Sequence, residues 1–279
     1  MVGEFSHGNW DGTFPASRLE FEDFNHVTEK GTGNIYQMMG SAKRLISQRL
    51  RLPADYLARC PRDLQAQNLN YWLRTFGDAP LFCRFKDHNI RAFFTRRYKP
   101  IDNTDVMERV LDAFAPHTKV EFKISNELML LNVPDYSMAF KVFNDRMVPG
   151  SHFSNSEVGL VAYSCSVFYQ RLICTNGLIS ADTIAVKTRH IKRNALDDFH
   201  ATMEEVRRLA LAQEGKMRLS VESKVDDPRT SISMFGKRFG LTKEETQEVQ
   251  NAWDHEAGYT LWSVIQAFTY AAKCNHPVG

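Results

Sequence analysis

The strongest constraint on the fold is a change in the spacing of apolar residues along the chain. Between residues 81 and 186, apolar and polar residues alternate in short runs, which is the period of β-strands. The segments on either side place apolar residues three and four apart, as helices do. The chain has 279 residues, 43% of them hydrophobic, so it can bury a sizeable core. We therefore predict an α+β fold in which helices cover a central antiparallel β-sheet.

The predicted organisation is an N-terminal arm followed by one domain. Residues 1–40 are rich in turn residues and net acidic, which favours an irregular arm with one short strand near Arg18–Phe24. Residues 41–279 are predicted to form a single α+β domain. Its parts are a basic helical region over 41–80, the sheet over 81–186 and C-terminal helices over 194–275. The β-branched and aromatic stretch Val158–Ile173 predicts a central strand, and Thr242 with Glu245 predicts a capping box.

Cysteine usage and the N-terminus exclude several classes of protein. The five cysteines are scattered without a C-x-x-C pair, so we expect neither a disulfide framework nor a zinc knuckle. The N-terminus lacks a signal-peptide pattern and no run of 18 apolar residues occurs, so we expect a cytoplasmic protein without a membrane partner. No phosphate-binding loop or dinucleotide fingerprint is present, and we predict no cofactor, no metal and no catalytic residue.

The net charge of +2 hides a segregation of charge along the chain. Residues 41–99 carry 13 Lys and Arg against four carboxylates, a local net charge of +9, so the rest of the chain has a net charge of −7. Basic and aromatic residues are interleaved over 82–99, and a second basic run occupies 187–193. This composition suits a single-stranded nucleic-acid groove, because cations neutralise phosphates and aromatic rings stack on unpaired bases. The candidate contacts are Arg84, Lys86, Arg91, Arg96, Arg97, Tyr98, Lys99, Lys187, Arg189, Lys192 and Arg193.

Two other functions stay open from the residues alone. A metal-dependent enzyme acting on nucleotides or nucleic acids would use His152, Glu157 and Cys174. An anti-defence protein would bind a bacterial host protein through the acidic stretch over 244–256. Both sets of residues also have ordinary structural interpretations, as a buried cysteine or as an exposed helix face.

Four segments of the chain resemble a known protein family. Residues 154–159 (SNSEVG), 172–179 (LICTNGLI), 91–103 and 261–269 are similar to phage and plasmid-like proteins that carry the domain of unknown function 932. Phe94-Thr95 stands where Leu-Ser is commoner, and Gln266 replaces the usual Asn. The resemblance covers residues 80–275. It implies a phage- or plasmid-encoded protein that acts in the bacterial cytoplasm, and it implies no chemistry.

More remotely, the order of sheet and helices resembles the phage single-strand annealing recombinases, the group that includes Red-beta. That resemblance implies a homo-oligomer that carries single-stranded DNA in a basic groove beside a sheet. A basic part and an acidic part on one protomer would suit a head-to-tail ring. Glu157 is unsuited to phosphate and would pair with an arginine or bind a cation. The candidate polar site at the ends of one strand comprises Asn155, Ser156, Glu157, Thr175 and Asn176.

Overall fold

The structure, a computed structural model, describes residues 9–171, 176–190 and 196–275. Within these residues the predicted α+β class is confirmed, but the strands form two sheets in place of one. Both sheets are mainly antiparallel. Among the described residues, none of the helices combines the length and apolarity needed to span a bilayer.

The first sheet combines N-terminal strands with the hairpin that follows the basic helices. The elements of this part are β1 (Asn9–Pro15), β2 (Leu19–Phe21), β3 (His26–Glu29), β4 (Ile35–Met38), α1 (Gly40–Leu50), α2 (Ala54–Arg59), α3 (Arg62–Arg74), β5 (Pro80–Lys86) and β6 (Asn89–Thr95). The strand order is β1-β5-β6-β4-β3-β2, antiparallel except for the pairing of β4 with β6. Side chains from α1, α2 and α3 share one core with the sheet.

Residues 9–38 therefore differ from the irregular arm that the sequence predicts. β1 pairs with β5 along its whole length, and β2, β3 and β4 follow one another as antiparallel neighbours. Three of these strands are only three or four residues long, so turn residues dominate the local composition and hide the strands between them.

The second sheet and its helices follow in the chain. The elements are α4 (Asn103–Ala113), β7 (Glu121–Ile124), β8 (Met129–Pro134), β9 (Phe140–Val142), β10 (Asp145–Asn155), β11 (Tyr163–Arg171), β12 (Asn176–Thr188) and α5 (Phe199–Glu222). The strand order is β12-β11-β10-β8-β7, with β9 also paired to β10. Helices α4 and α5 contribute to the core of this sheet.

Strands β10 and β11 lie at the centre of this sheet. β11 is the predicted central strand, although it begins at Tyr163 and not at Val158. β10, which contains His152, is a strand that the sequence did not single out. The signal was hidden because β10 contains Pro149 and Gly150 and several polar side chains. Gly150 has a packing reason: a Cβ there would lie 2.4 Å from the Val133 carbonyl oxygen.

Three further helices end the described part of the chain: α6 (Pro228–Phe239), α7 (Lys243–Glu256) and α8 (Leu261–Asn275). α7 begins with the predicted capping box, since the Thr242 hydroxyl accepts the Glu245 N–H and the Glu245 carboxylate accepts the Thr242 N–H. α6 lies within the predicted C-terminal helical region, and Asp227 before Pro228 is a typical helix start. Trp262 of α8 joins the core of the second sheet and donates a hydrogen bond to Asp145 at 3.0 Å.

Candidate nucleic-acid interface

The basic residues predicted to contact nucleic acid fall into a buried group and an exposed group. Arg84 on β5 and Arg91 on β6 are each only 4% exposed. Lys192 and Arg193 lie outside the described residues. The exposed members are Lys86, Arg96, Arg97, Lys99, Lys187 and Arg189.

Arg84 lies between two carboxylates that come from other elements. Its Nε donates to Asp11 Oδ1 of β1 at 3.0 Å, and its Nη2 forms an ion pair with Asp102, the residue before α4. Burial disfavours the charged guanidinium, but the two carboxylates outweigh burial and raise the pKa of Arg84 above its usual value. The guanidinium is therefore occupied inside the protein, and the predicted phosphate contact at Arg84 is replaced by a link between the first sheet and α4.

Arg91 and Glu157 form a second buried ion pair, with 2.9 Å between Nη1 and Oε2. Arg91 Nη2 also donates to the Asn126 carbonyl at 2.9 Å, and Glu157 Oε1 accepts the Asn103 N–H at 2.9 Å. Burial by itself would raise the pKa of Glu157, but the Asn103 N–H and Arg91 stabilise the carboxylate and lower its pKa. Arg91 is thus also withdrawn from phosphate, and Glu157 has the arginine partner that its sequence context suggested.

The polar residues before Glu157 hold loops together inside the protein. The Asn155 side chain donates to the Ile101 carbonyl and to Asn103 Oδ1, both at 2.9 Å. The Ser156 hydroxyl donates to the Glu127 carbonyl at 2.6 Å and accepts the Leu160 N–H at 2.9 Å. Because Asn155 and Ser156 are fully buried, this segment is an internal junction. Of the other predicted polar residues, Thr175 lies outside the described residues and Asn176 begins β12.

Gly159 packs this junction against the end of β6. Its φ of +70° is in the left-handed region that favours glycine, and a Cβ there would lie 2.9 Å from the Phe94 ring. The glycine thus lets the turn that carries Glu157 contact Phe94 closely.

Tyr98 is the centre of a stack of three rings. It lies between Phe94, with centroids 3.7 Å apart, and His190, with centroids 5.3 Å apart, and both pairs are nearly parallel. Its hydroxyl donates to the Glu157 carbonyl at 3.0 Å, and burial raises the pKa of Tyr98 to about 12. Both ring faces are occupied, so Tyr98 is unavailable to stack on a base.

His190 is the outer ring of this stack and was not singled out by the sequence. It is 6% exposed, and its two ring nitrogens have no hydrogen-bond partner among the described residues. Burial, together with the charge of Arg84, lowers the pKa of His190 to about 4. The side chain is therefore neutral at pH 7 and serves the stack as an apolar ring would.

The stack brings the two predicted basic segments together. The Lys99 N–H donates to the His190 carbonyl at 2.7 Å, next to the Tyr98 and His190 rings. Within the described ranges, none of the exposed cations on these segments forms an ion pair with a carboxylate. Five of these exposed cations lie on either side of that hydrogen bond along the chain. We call them the basic surface: Arg96, Arg97, Lys99, Lys187 and Arg189.

Lys86 lies apart from the basic surface. In the strand register Lys86 lies opposite Asn89, next to the turn of the β5–β6 hairpin, whereas the basic surface follows the other end of β6. Its ammonium lies 3.3 Å from Asn126 Oδ1.

Of the residues proposed for a metal-dependent enzyme, the two that the structure describes, His152 and Glu157, have other partners. His152 Nδ1 lies 2.7 Å from Asn132 Oδ1 on the neighbouring strand, and burial lowers the pKa of His152. Glu157 is occupied by Arg91, and Cys174 lies outside the described residues. Within the described part of the chain, no three His, Cys, Asp or Glu side chains are grouped to hold a metal ion.

Comparison with known proteins places most of this region in one family. Residues 92–275, more than half of the chain, match the family described as Domain of unknown function (DUF932). The chain belongs to the DUF932 family. The DUF932 segment contains the whole basic surface and the junction around Glu157, whereas Asp11, Arg84 and Arg91 precede it. No curated protein and no solved structure shows a significant match to the chain.

Proposed function

We propose that this DUF932 protein binds nucleic acid through the basic surface, with single-stranded DNA as its ligand. We further propose that it acts as an oligomeric annealing or recombination protein of a phage or plasmid, and not as an enzyme. The observation that supports the proposal most directly is the Lys99 to His190 hydrogen bond, because it joins two exposed basic segments that are far apart in the sequence.

The chemistry of the basic surface favours a phosphate backbone as ligand. Its five cations are exposed and lack carboxylate partners among the described residues, so their charges are not neutralised within the chain. Lysine and arginine that neutralise phosphates release condensed counterions, which supplies most of the affinity of sequence-independent binding. The buried stack beneath them fixes the spacing of the two segments.

The preference for a single strand rests on the remote resemblance to annealing proteins. Such a protein holds the backbone and leaves base edges free for pairing. Tyr98 is enclosed on both faces, so we expect backbone contacts with little sequence preference.

The decisive measurement is the fluorescence anisotropy of a labelled single-stranded oligonucleotide titrated with the protein at several salt concentrations. We expect the association constant to fall steeply with salt. The double substitution Arg96→Gln and Arg97→Gln removes two phosphate contacts, so the negative slope of log K against log salt should become shallower by about 0.7 for each contact.

A matched control removes two exposed cations from another part of the chain. Lys237→Gln with Arg238→Gln changes the net charge equally, at the end of α6. If this control weakens binding as much as the Arg96 and Arg97 pair, net charge and not the basic surface is responsible. Absence of binding at low salt would contradict the proposal as a whole.

Competition experiments separate the ligand classes. Unlabelled single-stranded DNA, duplex DNA and RNA of equal length compete with the labelled strand. Equal competition by the duplex would contradict the single-strand preference, and stronger competition by RNA would reassign the ligand.

A further inference from the structure

Helix α5 carries an apolar pair on a face that nothing in the described chain covers. It is 24 residues long, and its inner face, with Met203, Val206 and Ala210, contributes to the core of the second sheet. On the outer face Leu211 is 63% exposed and Leu219 is 61% exposed. Isolated surface leucines are common, but these two lie on the same helix face, eight residues apart.

Gly215 lies midway between the two leucines. Glycine is a poor helix former, and a Cβ at Gly215 would have nothing within 4 Å, so packing within the described chain does not require a glycine there. A glycine on an exposed helix face does permit the close approach of a second helix.

We propose that the outer face of α5 pairs with the same face of a second copy of this chain, antiparallel and about a two-fold axis at Gly215. In that arrangement each residue faces the one at equal distance on the other side of Gly215 in the partner copy. Leu211 then meets Leu219, and the two glycines meet at the axis. An interface of this kind is self-complementary, as two-fold symmetry requires.

The charges along α5 fit the same axis. Arg208 and Glu222 are each seven residues from Gly215, so each arginine faces a glutamate. Glu214 and Lys216 flank Gly215 and are opposed in the same way. Arg208 also pairs with Glu205, and Glu214 with Arg218, within the helix, and these ion pairs orient the side chains beside the seam. A parallel pairing would instead place Arg208 against Arg208 and Glu222 against Glu222.

This pairing rests on the proposed function in one respect: it supplies an interface for the oligomer proposed there. It closes a dimer, in contrast to the head-to-tail ring that the charge segregation suggested. The basic surface is formed by other residues, so monomeric variants should keep their affinity for an oligonucleotide. The two proposals can therefore fail separately.

The mass of the full chain in solution gives the first test. We expect light scattering after size-exclusion chromatography to show twice the chain mass, and Leu211→Arg to show the chain mass. Arg207→Ala, on the same helix beside the seam, is the matched control and should remain dimeric. A monomer at every concentration up to the solubility limit would overturn the proposal, as would a dimer that Leu211→Arg leaves intact.

Disulfide cross-linking determines the orientation. Gly215→Cys should form a covalent dimer on oxidation because the residue faces itself across the axis. Leu211→Cys alone should not cross-link, whereas Leu211→Cys combined with Leu219→Cys should. The unsubstituted chain, with its five cysteines, gives the background. Strong cross-linking of Leu211→Cys alone would indicate a parallel pairing and overturn the proposed axis.

A charge exchange tests the register. Arg208→Glu and Glu222→Arg each place like charges opposite one another at both ends of the helix pair. Each should therefore raise the dissociation constant of the dimer about tenfold. The double variant places opposite charges together again and should recover the dimer. Failure of recovery, with circular dichroism unchanged, would contradict this register.

Discussion

Arginines from one short stretch of sequence occupy opposite environments in this protein. Arg84 and Arg91 are buried in ion pairs, whereas Arg96 and Arg97 are exposed on the basic surface. All four belong to the same basic and aromatic segment. The difference lies in what faces them: strand pairing and loop contacts bring carboxylates to the first two.

The comparison shows that a basic segment can serve two purposes within a few residues. The buried arginines connect the first sheet to α4 and to the turn after β10. The exposed arginines begin immediately after β6, where the hydrogen bond from Lys99 holds the second basic segment beside them. We expect the two groups to respond differently to substitution: the buried group through stability and the exposed group through nucleic-acid affinity.

The largest effect is expected at the buried Arg91 to Glu157 pair. Glu157→Gln leaves the Arg91 guanidinium buried without its counter-charge, which typically lowers the free energy of unfolding by about 3–5 kcal/mol. Urea denaturation followed by circular dichroism measures the change. Glu244→Gln, an exposed carboxylate on α7, is the control and should change stability by less than about 0.5 kcal/mol.

If Glu157→Gln lowers the free energy of unfolding by less than about 1 kcal/mol, the Arg91 to Glu157 pair behaves as a solvent-exposed ion pair does. The buried and exposed arginines would then not differ in their contribution to stability. Replacing both partners by apolar residues, as Arg91→Met with Glu157→Leu, should recover part of the lost stability, since no unpaired charge then remains buried.

A smaller, pH-dependent effect is expected at His190, where the two regions meet. Burial lowers the pKa of His190 to about 4 in the fold, below the value of about 6.5 for a free histidine. Between these values the unfolded chain binds the proton and the folded chain does not, so this histidine makes stability fall as the pH is lowered from 6.5 to 4.

His190→Phe keeps a ring in the stack and removes the titrating group. We expect the variant to be more stable than the natural chain by about 2 kcal/mol at pH 5, with a much smaller difference at pH 8. Thermal unfolding measured across this range gives the answer. A difference that does not change with pH would show that His190 is protonated in the fold or exposed to solvent.

The smallest change in stability is expected on the basic surface. Arg96→Gln with Arg97→Gln removes charges that lack carboxylate partners among the described residues, so the free energy of unfolding should change by no more than about 0.5 kcal/mol. The same variant is predicted to lose oligonucleotide affinity. Urea denaturation and anisotropy on one preparation test both statements, and a variant that is strongly destabilised would place these arginines with the buried group.

Local periodicity was sufficient to predict much of the fold. The central strand β11, the C-terminal helices and the capping box of α7 all depend on spacing within about a dozen residues. β10 was missed because polar residues such as Ser151 and Asn155 are buried along it together with apolar ones, which leaves no alternation to detect.

The site could be predicted only in part, because its important contacts join residues distant in the sequence. Arg84 and Asp11 meet only because β1 pairs with β5 in one register. The Lys99 to His190 hydrogen bond joins backbone atoms, so neither side chain carries a signal for it. Composition identified the basic segments, but it could not distinguish the buried arginines from the exposed ones.

The place where the family match begins has a practical consequence for fragments of this protein. Residue 92 lies in the middle of β6, one position after Arg91. A truncation that begins there would split a hairpin and leave Glu157 buried without a cation. The segment that matches the family is therefore shorter than the segment needed for folding. We expect soluble protein only when the N-terminal strands are retained.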